Sequence, residues 1–261
     1  MRPVRAIAAA VLGLALIGAA PMHLQSNRAI YSISLEKSRP GEIASVHGRT
    51  VVEFRVTCSS YNSTQRFIAD MSDAQNNVSR SDFAITASEA RNGRAMRFDI
   101  KNMVDGQIVE LFKGSAEIGE TDAGHVSLTL PEKSRFELPQ GTLLPTMQTI
   151  AIIAAAEEGK RAFNSAVYQG GDKKYLYYST ATIGRPFKTG KSEHAMLKGV
   201  TYWPVLLSFY PSGQENETPD YEIAAHLYAN GILSSMSMIY PRFTLKAKLV
   251  KLERLPTPKC K

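Results

Sequence analysis

The sequence predicts a mainly β protein, antiparallel and curved, with one α-helix packed on the sheet. Three observations carry this. Apolar and polar residues alternate with period two along many segments, the signature of strands with one packed and one wetted face. Hairpin-type turn dipeptides fall between those segments. Only one stretch follows a helical period instead.

In chain order, the first segment stands apart from this pattern. Arg2 and Arg5 precede an apolar run from Ala6 to Ile17, and small residues follow at Gly18, Ala19 and Ala20. A charged start, a short apolar stretch and small residues form a secretory leader, read here over residues 1–22. The run is shorter than the roughly 20 residues a spanning helix needs. With no cysteine directly after it, lipoprotein processing is not expected. The leader implies Sec-type export to the periplasm, with residues 23–261 forming one β domain.

The strands follow. Tyr31, Ile33 and Leu35 alternate with Ser32, Ser34 and Glu36, and Val52, Phe54, Val56 and Cys58 with Glu53, Arg55 and Thr57. This phase puts Cys58 on the apolar face of its strand, as a buried bridge requires. Met96-Phe98-Ile100, Val126-Leu128-Leu130 and Phe243-Leu245-Ala247-Leu249 repeat the texture. In the last run Lys251 falls where an apolar residue is due, which predicts a β-bulge near Val250. Asn92-Gly93, Asp105-Gly106 and Asn230-Gly231 predict hairpin turns, and Gly170-Gly171-Asp172 a further turn. The helical stretch runs from Pro145 to about Glu158. Met147, Ile150, Ala151, Ala154 and Ala155 form its stripe, Pro145 suits a first turn, and Gly159 a stop. It is either a plug filling a curved sheet or a lid over an apolar pocket.

Composition limits the function. The net charge of +7 includes Arg2 and Arg5, which leaves about +5 spread thinly along the rest. That is a solvated surface with mild attraction to anionic head groups. An exported chain without a basic motif excludes nucleic acid. No phosphate loop or nucleophile elbow occurs. His47, His125, His194 and His226 lie far apart, which gives no metal site, and no cofactor or catalytic residue is expected. Asp220 and Glu222 flank Tyr221 on one strand face and read as solvated carboxylates. Two cysteines in an exported chain, Cys58 and Cys260, predict one structural disulfide. Aromatic residues crowd two strands. Tyr175, Tyr177, Trp203 and Phe209 are either core packing or a groove for a lipid or peptide.

Several stretches together are similar to the EipB-type cell-envelope integrity proteins of alphaproteobacteria. They include Gly141-Thr142-Leu143-Leu144-Pro145 before the helix, Trp203-Pro204-Val205, Glu217-Thr218-Pro219-Asp220-Tyr221-Glu222, Leu227-Tyr228-Ala229-Asn230-Gly231, and Lys251-Leu252-Glu253-Arg254-Leu255 before Cys260. Pro241-Arg242 stands where the family pattern suggests a Gly-Asp pair. The resemblance implies a spiral-like β-sheet, a Cys58–Cys260 bridge, a periplasmic location and a non-enzymatic role in envelope integrity. Its partners would be other envelope proteins or envelope components, with a lipid as an alternative ligand. Carriage of an apolar molecule and hydrolysis of cell-wall material are the rival functions. The hydrolase lacks a catalytic constellation. Oligomeric state and exact cleavage point are not encoded in any motif.

Overall fold

A computed structural model of the chain describes residues 24–213 and 218–260. The leader read over residues 1–22 therefore lies outside the described residues. The described residues form one antiparallel sheet of fifteen strands and one α-helix. Strands β1 (Asn27–Ser38), β2 (Ile43–Val56), β3 (Ser60–Asp73), β4 (Val78–Ala90), β5 (Ala95–Val104), β6 (Gln107–Ile118), β7 (Gly124–Leu130) and β8 (Ser134–Leu138) follow one another as a meander. Helix α1 (Pro145–Glu157) interrupts it. Then come β9 (Ala162–Tyr168), β10 (Leu176–Ile183), the short β11 (Phe187–Lys188), β12 (Thr201–Pro211), β13 (Tyr221–Tyr228), β14 (Leu233–Ile239) and β15 (Phe243–Arg254).

The last strand returns to the first: β15 pairs β1 from Asn27↔Arg254 to Ser38↔Phe243. The ends of the sheet are therefore β8 and β9, which only α1 and its approach separate in sequence. The sheet curls until these ends meet. Tyr168 on β9 touches Phe136 on β8 and Phe98 on β5, each at 5.9 Å between ring centroids. Leu143, just before the helix, bonds the free edge of β9, its N–H to Ala166 O at 2.9 Å and its carbonyl to Tyr168 N at 3.0 Å. The architecture is a nearly closed, barrel-like β-sheet, and bending it so far removes most of the exposed edge that an open sheet would present.

The alternation read in the sequence marks the inner face. Tyr31, Ile33, Met96, Phe98, Ile100, Val126, Leu128, Leu245, Ala247 and Leu249 are all buried. Leu130 is exposed, because its strand ends at the rim. Asp105 (φ 52°) and Gly106 (φ 78°) both take positive φ in a two-residue turn between β5 and β6, the conformation a type I′ hairpin demands. At Asn92-Gly93 and Asn230-Gly231 only the glycine does so, and the loops are four residues long. Val250 is the unpaired extra residue in the β1–β15 ladder, since Ile30 pairs Lys251 and Tyr31 pairs Leu249. This is the bulge that the phase slip predicted.

Helix α1 departs from its expected stripe. The buried residues are Gln148, Ile152, Ile153, Ala155 and Ala156, while Met147, Ile150, Ala151 and Ala154 are half-buried. No residue from Pro145 to Ala156 is exposed. A helix with no solvent-facing side carries no single stripe that sequence periodicity can phase. Its inner residues pack with Ala181 and Ile183 of β10, Trp203 and Val205 of β12, and Ala225 and Leu227 of β13. Of the two expectations, the plug describes this packing.

Candidate functional site

Two features stand out among the described residues: the disulfide end of the sheet, and the joint between α1 and β4.

Cys58 and Cys260, 202 positions apart in sequence, form the disulfide, with Cα atoms 5.4 Å apart. Its placement corrects the sequence reading. Strand β2 ends at Val56, so Cys58 lies in the turn to β3 rather than on a packed strand face, and both cysteines are exposed. Period-two alternation does not reveal where a strand stops, and Cys58 lies two residues past the end of β2. The bridge joins this turn to the tail beyond β15, not strand to strand. The tail is also held along its course. Leu255 N donates to Ser26 O at 3.0 Å, and the Thr257 and Ser26 hydroxyls are 3.0 Å apart. The buried Ser26 hydroxyl in turn accepts from Val56 N at 2.9 Å.

At the other joint, Glu89 of β4 is buried at 3% exposure. Its carboxylate accepts from the backbone N–H of Thr146 at 2.8 Å and of Met147 at 3.1 Å. These are first-turn donors of α1 that the helix itself leaves unpaired. The residue before the helix, Leu144, has no side chain able to cap it, so Glu89 does this from another element. Burial pushes the carboxyl above its ordinary value, and the helix N–H bonds only partly oppose that. Gly93 lies against the same turn, where a Cβ would stand 2.5 Å from the Met147 side chain. The signal for Glu89 was present in the sequence: it continues the inward phase of Phe83, Ile85 and Ala87, an acid where an apolar residue is due.

The four aromatic residues considered for a groove separate. Trp203, 4% exposed, packs in the helix cluster. Tyr177 and Phe209 are buried together, with rings 5.9 Å apart, and Tyr221 stacks on Phe209 at 4.6 Å. Tyr175 packs against Phe112, and its hydroxyl donates to Glu110 at 2.8 Å. Glu110 also receives Lys174 Nζ at 2.7 Å and Asn102 Nδ2 at 3.1 Å, and these donors hold its carboxyl below the usual range against the opposing desolvation. Burial, with nearby Asp220, raises the Tyr177 hydroxyl to about 12. His226 is half-buried and stacks on Tyr202 at 4.6 Å, and desolvation lowers its pKa. The carboxylates flanking Tyr221 do not act as a pair: Glu222 accepts from the Ser208 hydroxyl, and Asp220 lies before β13 begins. No group of three potential metal ligands occurs among the described residues.

A sequence model of the EipB-like family matches residues 18–256. The chain belongs to the EipB-like family. A relative in it, the cell envelope integrity protein EipB of Brucella abortus (strain 2308), is 29% identical over 252 residues, spanning 93% of this chain and 89% of that protein. A crystal structure from Brucella abortus, of a β-barrel-like protein of the domain of unknown function DUF1849, matches with a TM-score of 0.81 at 27% identity. It covers 89% of this chain and 99% of its own. The EipB-like resemblance read from the motifs and the barrel-like β fold are thus both met.

Proposed function

We propose that this EipB-like chain is an exported, non-catalytic protein of the periplasm that helps to maintain the cell envelope. It would act as one β domain, without a cofactor, through contacts with other envelope proteins or envelope components. The observation that supports this most is the match along nearly the whole chain to a protein named for envelope integrity. The leader pattern and the exposed Cys58–Cys260 bridge agree with it, because disulfides persist in oxidising compartments. The carrier reading has weaker support. The concave face that an apolar cargo would occupy is filled by α1, with Ile152 and Ile153 at 2% and 0% exposure.

The test is deletion of the gene in its own host, followed by exposure to sublethal bile salt and to a cell-wall antibiotic. Increased sensitivity, restored by the full chain and not by a version lacking residues 1–22, is expected. Normal tolerance of the deletion strain, or rescue by the leaderless version, would contradict the proposal.

A further inference from the structure

A cavity of about 470 Å³ lies beside the disulfide, within the size range of roughly 300–1,000 Å³ typical of small-ligand sites. Its floor is the segment just before β1, the end of β2 and the start of β3, with Leu24, Val56 and the buried Tyr61 supplying apolar surface. One wall is the tail, through Thr257, Pro258 and Cys260. Two arginines reach it, Arg91 from the β4–β5 turn and Arg254 from the end of β15, and no carboxylate among the described residues lines it.

The arginines are arranged for a ligand more than for each other. Arg91 is fixed in place. Its backbone N–H donates to Ser59 O at 3.0 Å, one guanidinium nitrogen donates to Thr57 O at 3.1 Å, and the group lies 5.0 Å from the centre of the Tyr61 ring. Its remaining donors have no partner among the described residues. The Arg254 guanidinium has no hydrogen-bond or ion-pair partner among the described residues. The nearby acids are already engaged: Glu53 by Arg28 and Arg55, Glu253 by Lys251. Two planar donor forks beside an apolar floor, with no counter-charge among the described residues, favour an anion that can take bidentate hydrogen bonds.

We propose that this cavity binds a phosphate ester carrying a short apolar arm, the phosphate on Arg91 and Arg254 and the arm against Leu24, Val56 and Tyr61. No α1 residue lines the site. Because the tail forms one wall, the site is complete only while the Cys58–Cys260 bridge holds. This assignment does not depend on the envelope role.

Two probes separate the sources of such a group. Glycerol 3-phosphate presents the soluble phosphate ester alone, and monomeric dihexanoyl phosphatidylglycerol presents it as a lipid head group with an apolar arm. Calorimetric titration of the oxidised full-length protein should show saturable binding of the short-chain lipid. Binding of glycerol 3-phosphate at equal strength would assign the site to soluble phosphates and remove the role of the floor. The double variant R91Q/R254Q should weaken binding at least tenfold. Both arginines are exposed, so the variant should keep its unfolding midpoint. C58S/C260S should weaken binding severalfold with both arginines in place. Unchanged affinity in R91Q/R254Q, or no binding of either probe, would overturn the assignment.

Discussion

Replacing Glu89 tests how the helix is locked into the sheet. The two hydrogen bonds from Thr146 and Met147 are charge-assisted, a class worth about 1.5–3 kcal/mol each before non-additivity. Loss of a helix N-cap alone costs about 0.5–2 kcal/mol. Against these stands the desolvation of a carboxylate at 3% exposure, which its raised pKa records. Glu89→Ala should therefore lose about 2–4 kcal/mol, and Glu89→Gln, which keeps only one accepting oxygen, about 1–3 kcal/mol. With a urea slope of roughly 3 kcal/mol per M for a chain of this size, the alanine variant should unfold about 1 M earlier.

The pH dependence gives a sharper check. A carboxyl with a folded pKa above its unfolded value binds more protons in the native state between the two values, so its contribution to stability falls as pH rises through that window. The advantage of wild type over Glu89→Gln should be larger at pH 4 than at pH 8. Urea melts of both proteins at those two pH values measure it. Equal midpoints at both would refute the capping role. An advantage that grows with pH would refute the dominance of desolvation over the helix N–H bonds.

Three further outcomes follow from the packing. Gly48→Ala should cost about 1–3 kcal/mol, because the new Cβ would stand 2.5 Å from Ile68 O and 2.6 Å from Ala69 Cβ across the β2–β3 ladder; urea unfolding checks it. Trp203→Ala should cost about 3–5 kcal/mol by opening a cavity beneath α1, read by circular dichroism during unfolding. Dithiothreitol should open the exposed bridge without denaturant and lower stability by up to about 5 kcal/mol, the loop-entropy ceiling for 202 residues, so equal melting temperatures with and without reductant would contradict it.

Much of the sheet was legible because a half-buried strand writes its inward face at every second position. Tyr31-Ile33, Met96-Phe98-Ile100 and Leu245-Ala247-Leu249 are such cases, and even the bulge at Val250 appeared as a slip of phase. The phase of α1 was not legible, because a helix enclosed on all sides leaves no polar face to fix its rotation. Nor was the closure of the sheet. Contact between Tyr168 and Phe136 at opposite sheet ends is set by curvature summed over many strands, to which no single segment testifies. At the candidate sites, the cysteine pairing followed from count and compartment, but its exposure depended on where β2 stops. Arg91 and Arg254 meet only through the fold, since their positions in sequence share no spacing.

Thiol trapping in fractionated cells bears most directly on the claim that export delivers this chain to an oxidising space where one bridge ties its tail to the β2–β3 turn. Alkylation under denaturing conditions, with and without prior reduction, counts free thiols in each fraction. The account predicts a periplasmic protein that takes up label only after reduction, at Cys58 and Cys260. A cytoplasmic protein with both cysteines labelled before reduction would contradict it.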